Sequence, residues 1–145
     1  MVDTTVNIIE LDGYNEQYVT PIKELLAQLS STPVDFSGDT LKELIAAPGT
    51  HLFVALCNNR LCGMLTLAHY VAPTGRKLWI EDVVVDSSMR GKSIGRALVQ
   101  SAIEKAKEIG GTLMLTSKPA RVAANALYRS SGFEQKETNV YKMKV

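Results

Sequence analysis

The stretch Leu78-Trp-Ile-Glu-Asp-Val-Val-Val-Asp86, followed by Ser87-Ser-Met-Arg-Gly-Lys-Ser-Ile-Gly-Arg96, constrains this chain more than any other. Its first part is β-branched and aromatic and reads as a buried strand. The run breaks at a polar turn, and a glycine-bearing loop then opens an amphipathic helix. Strand, glycine loop and helix N-terminus together build an anion site, because backbone N–H groups point outward there and the helix dipole adds partial positive charge. The junction predicts a phosphate-bearing cofactor. Glu81 and Asp82, two carboxylates inside an otherwise apolar strand, suggest chemistry close by.

Around this stretch the chain alternates strand and helix patterns. Val6–Leu11 is a strand candidate, ended by Asp12-Gly13. Tyr18, Ile22, Leu25, Leu26 and Leu29 fall at helical spacing, predicting a helix over residues 15–30 with Thr20-Pro21 as an alternative start. Thr40 and Glu43 have capping-box spacing ahead of a short helix stopped by Pro48-Gly49. His51–Cys57 and Leu61–Val71 read as a hairpin around Asn58-Asn59-Arg60, and Ala72–Arg76 as the turn into the opening strand. Ile94 through Ile109 is a long helix ended by Gly110-Gly111. Thr112–Ser117 is a strand that should run parallel to the opening strand, since a helix separates the two. Ala123–Ser131 is a last helix, and two final strands are expected around Phe133–Lys136 and Val140–Val145. The whole is one α/β domain over residues 1–145.

At 145 residues the chain is long enough for a proper hydrophobic core. Sixteen basic against fifteen acidic side chains leave a net charge of +1, so no global field favours nucleic acid or an anionic membrane. No basic and apolar leader opens the chain, and no apolar run approaches the ~20 residues of a membrane span. Cys57 and Cys62 are too few for a disulfide scaffold and are expected as reduced thiols in a cytoplasmic protein.

Gly91-Lys92-Ser93 does not complete a P-loop, because the position needing the first glycine is Asp86, whose charge repels phosphate. Gly91 and Gly95 also lack dinucleotide-fingerprint spacing. An ordinary turn that merely contains glycines is the plain alternative. The wider pattern decides. Arg90-x-x-Ser93-x-Gly95 after Ile80-Glu-Asp-Val-Val-Val-Asp86 resembles the glycine signature of the GNAT superfamily of acyl-CoA-dependent N-acetyltransferases. Asn125-Ala-Leu-Tyr128 followed by Gly132-Phe133 is similar to that family's second signature, and the element order matches across nearly the whole chain.

The resemblance implies a GNAT-like mixed, largely antiparallel twisted sheet, with helices on both faces and a parallel pair at the central strands. It implies transfer of an acetyl group from acetyl-CoA to a primary amine by direct attack in a ternary complex. Pantetheine would run along the opening strand, bonded by backbone of Val83, Val84 and Val85, with the Val83 N–H polarising the thioester carbonyl. The pyrophosphate would sit on the backbone N–H groups of Gly91, Lys92, Ser93, Ile94, Gly95 and Arg96, with side-chain charge from Arg90 or Lys92. Ser93 stands where the family usually has glycine, and it is strained if the position needs a positive φ. Asn125 would bond the pantetheine arm, and Tyr128 would protonate the leaving thiolate: a phenol titrates near 10 and a thiol at about 8.5. Glu81, directly or through a water, is the candidate base for the amine. Strict alternation puts Glu81 and Asp82 on opposite faces unless a bulge intervenes.

His51, Cys57, Cys62 and His69 invite a metal reading. Regular alternation, however, sends His69 to the face opposite Cys62, so no metal is expected. The acceptor amine would be lined by Ser31–Gly38, Ala72–Arg76 and the final hairpin. Its identity is open among amino-sugar phosphates, polyamines, aminoglycosides, amino acids and protein amines. A homodimer is a common arrangement in the family. A non-catalytic acyl-CoA-binding module of the same fold is the competing reading.

Overall fold

The computed structural model describes residues 5–145. The stretch in which no export signal is read begins outside them, at Met1–Thr4. Five strands form one sheet in the order β1 (Val6–Glu10), β2 (Thr50–Cys57), β3 (Arg60–Ala72), β4 (Gly75–Val85), β5 (Thr112–Leu115). The first four pair antiparallel, and β4 pairs parallel with β5. Helices α1 (Val19–Leu29) and α2 (Gly38–Ala46) cover one face, while α3 (Ile94–Ile109) and α4 (Val122–Ser130) belong to the other.

Each face buries its own apolar cluster. Leu65, Leu67, Leu78 and Ile80 meet Ile94, Leu98, Val99 and Ala102 of α3. Leu52, Val54, Met64 and Val84 meet Ile22, Leu25 and Leu41 of α1 and α2. Burying a Leu, Ile or Val side chain is worth roughly 1.5–3 kcal/mol, so these two layers hold the sheet. Gly63 lets α3 approach: an added Cβ there would stand 3.2 Å from Leu98 Cδ1 and 3.3 Å from the Val84 carbonyl oxygen.

Several expectations are corrected. Pro21 lies in the first turn of α1, but Thr20 is not its cap; a 3-10 turn Glu16–Tyr18, capped by Asn15, leads into the helix instead. The capping box of α2 pairs Ser37 with Thr40, three residues ahead of the Thr40–Glu43 pair. Hydroxyls at both positions satisfy it, which the Ser/Thr-to-Glu pattern overlooked. The β2–β3 turn is two residues, Asn58 and Asn59, both at positive φ as a tight hairpin turn requires.

Cys57 and Cys62 are not reduced thiols: their sulfurs are joined as a disulfide across this hairpin. A register shift near Leu56 brings them together, and it also reverses the side-chain parity of β3 beyond it. His69 therefore lies on the Cys62 face, not opposite it, and its Nε2 is 3.1 Å from His51 Nε2. Among the described residues no three His, Cys, Asp or Glu side chains gather to hold a metal.

The final two strands do not form. From Phe133 to Val145 the chain has no regular secondary structure, and its apolar residues Val140, Tyr141, Met143 and Val145 are exposed. A strand needs a neighbour for its backbone groups, and alternation alone supplies none. No helix among the described residues is long and apolar enough to cross a membrane.

Candidate active site

β4 changes character at Asp82. Along β3, Met64 and Thr66 are two apart, yet their partners on β4, Val84 and Glu81, are three apart. One extra residue therefore bulges from β4. Asp82 takes it up with φ +52°, in the left-handed region that Asp tolerates better than most side chains. The other neighbour leaves at the same place: β5 pairs with Lys77 through Ile80 only. Among the described residues, Glu81–Val85 thus pairs with β3 on one side and with no strand on the other, since the pairing of β4 with β5 ends at Ile80 and Leu115.

Past Val85 the loop is pinned. Asp86 accepts from the Ser88 N–H at 3.0 Å and its hydroxyl at 2.9 Å, and Arg60 Nη2 lies 3.5 Å from its carboxylate. These contacts, the Ser88 N–H first, hold the Asp86 carboxyl below the usual range despite some burial. Gln28 of α1 accepts from the Ser87 N–H at 2.9 Å. The loop then turns at Gly91 (φ +82°) and Ser93 (φ +61°). Ser93 sits in the conformation that favours glycine, and its side chain caps nothing. The first amides of α3, on Ile94, Gly95 and Arg96, precede the first intrahelical bond from Ala97 to Ser93 and remain free for a ligand.

The predicted side chains fall into groups. Arg90 and Lys92 are exposed and form no ion pair among the described residues. Arg96 is engaged elsewhere, its Nη2 donating to Ser130 Oγ at 3.0 Å. Val83 and Val85 pack on the α3 cluster, while Val84 is buried against the α1–α2 cluster. Asn125 donates its amide to the Lys118 and Arg121 carbonyls, both at 2.9 Å, and so holds the loop before α4. Only its carbonyl oxygen is left for an incoming donor.

Tyr128 is buried to 6% exposure, with Phe133 edge-on at 6.2 Å. Burial raises its phenol above the ordinary value, opposed by the Arg121 charge, so it stays protonated at neutral pH. Glu81 is exposed at the sheet surface, yet partial desolvation, and then the Asp82 carboxylate, raise its pKa. That direction makes it a stronger base.

Sequence reasoning allowed for the bulge at Glu81-Asp82 without fixing it, and it missed two other features. Gln28 as a loop anchor had no signal. Ser117, two residues past β5, has a buried hydroxyl without a hydrogen-bond partner. Such an orphan, with the bare β4 edge and the free α3 amides, fits a donor that carries amide and phosphate groups.

The mixed sheet with one parallel pair, β4 and β5, is shared with solved structures of acetyltransferases. An aminoglycoside N-acetyltransferase in complex with CoA superposes with a TM-score of 0.78 at 16% identity, over 99% of this chain and 97% of that one. At that identity the likeness is one of fold. A protein of Bacillus halodurans described as a transcriptional regulator matches with a TM-score of 0.82 at 27% identity, over 97% of this chain and all of that one. The acetyltransferase (GNAT) family model matches residues 20–133, and the chain belongs to that family. The aminoalkylphosphonate N-acetyltransferase of Salmonella typhimurium is 27% identical over 134 residues, 88% of this chain and 86% of that protein.

Proposed function

We propose that this chain, as one domain over residues 1–145, transfers an acetyl group from acetyl-CoA to a primary amine. The observation that carries the reading is the half-paired β4. Its bare edge from Glu81 to Val85 leads straight to a glycine turn and the free amides of α3. Pantetheine carries amides that a bare strand edge bonds, and a pyrophosphate suits a helix N-terminus. Residues Val83–Val85 and Gly91–Arg96 hold the donor, with Asn125 contributing its carbonyl oxygen.

The amine attacks the thioester carbon while the Val83 N–H stabilises the oxyanion. Glu81 takes the amine proton, and Tyr128 donates its own to the departing thiolate. The amide forms, the C–S bond breaks, and no covalent enzyme intermediate is needed. Of the acceptors, small aminoalkylphosphonates head the panel because of the Salmonella relative; amino-sugar phosphates, polyamines and aminoglycosides follow. A cytoplasmic setting belongs to the same reading because acetyl-CoA is made there, although the Cys57–Cys62 bond weighs against it.

The test is release of free thiol from acetyl-CoA across this panel. Amine-dependent release is expected with at least one member. Binding of acetyl-CoA with no release from any amine instead identifies a non-catalytic binding module.

A further inference from the structure

The bond between Cys57 and Cys62 is not where a staple would add most to stability. Its partners are five positions apart, on strands that the Asn58-Asn59 turn and the β2–β3 ladder already hold together. A cross-link stabilises chiefly by restricting the unfolded chain, and it does so more for long loops than for short ones. The bond stands instead at a junction. Both cysteines belong to the apolar cluster beneath α3, with Cys57 exposed to 6% and Cys62 to 1%. The Cys62 carbonyl accepts from the Asp86 N–H at 2.8 Å, and Gly63 faces Val85 at the end of β4. Arg60, inside the bridged loop, places its Nη2 3.5 Å from the Asp86 carboxylate. Gly63 also lies against the first turn of α3, where an added Cβ would stand 3.4 Å from Ile94 Cγ2.

The hairpin has a place for the reduced state as well. Cys62 Sγ lies 3.5 Å from the Ala55 carbonyl oxygen, within reach of a thiol S–H donor. Ala55 borders the register shift of the β2–β3 ladder, so the backbone there is already irregular. Two thiols cannot stay at bonding distance, since unbonded sulfurs repel until they reach van der Waals separation. In a packed interior that parting displaces the hairpin. Asn58, Asn59 and Arg60 are exposed, which puts the Cys57 end of the bridge nearer to solvent.

We infer that Cys57 and Cys62 form a reversible redox site that takes a dithiol as reductant, and that its state sets the geometry of the loop at Asp86. A thiolate of the dithiol attacks Cys57 Sγ, the Cys57–Cys62 bond breaks, and Cys62 leaves as a thiolate that takes a proton. The second thiol of the reductant then attacks the mixed disulfide, releasing Cys57 as a thiol and the reductant as its own disulfide. Two electrons and two protons pass to the protein. In the oxidised state the bridge fixes the Cys62 carbonyl and Arg60 against Asp86, and Asp86 in turn holds Ser88 in the loop toward α3. The consequence for acetyl-CoA rests on the donor site proposed above: oxidised protein binds it more tightly than reduced protein.

For the test, the full chain is equilibrated in mixtures of reduced and oxidised dithiothreitol, quenched with iodoacetamide and weighed by mass spectrometry. One two-electron transition, traversed in both directions, is expected with unchanged far-UV circular dichroism. Calorimetry with acetyl-CoA uses a phosphine rather than a thiol as reductant, so that the thioester survives. The Kd should rise about 5-fold or more on reduction. Cys57→Ala and Cys62→Ala should each bind like the reduced parent, with or without phosphine. Amide exchange without ligand reads the coupling independently, and protection at Asp86 and Ser88 should fall on reduction. If neither state binds acetyl-CoA, the proposed donor site fails, and this exchange still decides the redox site. A chain that stays wholly oxidised or wholly reduced in every mixture overturns the inference, as does reduction that unfolds it. Equal exchange at Asp86 and Ser88 in the two states, or an equal Kd where acetyl-CoA binds, also overturns it.

Discussion

The two halves of β4 differ in pairing, and under the proposed function that difference separates stability from binding. From Lys77 to Ile80 the strand is paired on both sides, and Leu78 and Ile80 are buried to 1% and 4% exposure. From Glu81 to Val85 it is paired on one side only, with a bulge at Asp82 and both carboxylates exposed. The second half contains three consecutive valines, so strand propensity does not explain its missing partner. One inserted residue and an early end to β5 do. A sheet that stops pairing part-way along a strand presents backbone donors and acceptors to a ligand without unfolding anything.

Breaking the chemistry proposed beside the open half, at Tyr128 of α4, should have the largest effect. Tyr128→Phe is expected to lower kcat by about 10²-fold or more, the usual reach of a general acid, with the Kd for acetyl-CoA nearly unchanged. Steady-state kinetics with parallel calorimetry checks this; an unchanged kcat removes Tyr128 from the mechanism. Deleting Asp82 asks whether the bulge makes the opening. Without it Glu81, Val83 and Val84 fall opposite Thr66, Leu65 and Met64 in regular register, so the fold should persist. Donor affinity should drop by about 100-fold, as for misplaced binding groups elsewhere. Full affinity in a folded deletion variant would show that the bulge is incidental.

Much of the closed half was legible in the sequence. The apolar run from Leu78, the glycine pair ending α3 and the hairpin at Asn58-Asn59 each carry a local signal. The parallel pairing of β4 with β5 followed from the helix between them. What was not legible depended on count or contact across space. One register shift, near Leu56 in the β2–β3 pairing, moved His69 to the Cys62 face, and no pattern within β3 alone announces it. The disulfide needed that same hairpin register. The C-terminal residues alternate like strands, yet alternation does not supply the neighbour that a strand needs, and none forms there. At the site, Ser93 was recognised as a departure from glycine, and the structure gives it the feared positive φ. Asn125 was expected to bond the pantetheine arm, and two backbone carbonyls already occupy its amide.

Smaller tests follow from that strain and from two titrating groups. Ser93→Gly should stabilise the fold by about 1 kcal/mol, because a left-handed residue with a Cβ costs roughly that much. Thermal unfolding reads it directly, and an unchanged or lower Tm denies that the position is strained. The two halves should also respond to pH with opposite sign. His69, paired with Leu78 in the closed half, has its pKa lowered from 6.5 by burial first, then by the charges of His51, Arg76 and Lys105. The fold prefers its neutral form, so its contribution is intact above 6.5 and declines as pH falls toward the lowered value. Glu81 in the open half is raised above 4.5, so its contribution is intact below 4.5 and is lost as pH rises through the raised value. Tm against pH for His69→Gln and Glu81→Gln, each compared with the parent, should show these opposed trends. Parallel curves for either variant would refute its assignment.

Amide hydrogen exchange with and without CoA tests the central claim most directly. The account predicts added protection at Val83, Val85 and the amides from Gly91 to Arg96, with none at Lys77–Ile80, whose groups are already paired. Protection confined to Lys77–Ile80, or tight CoA binding that leaves Glu81–Arg96 unchanged, would contradict it.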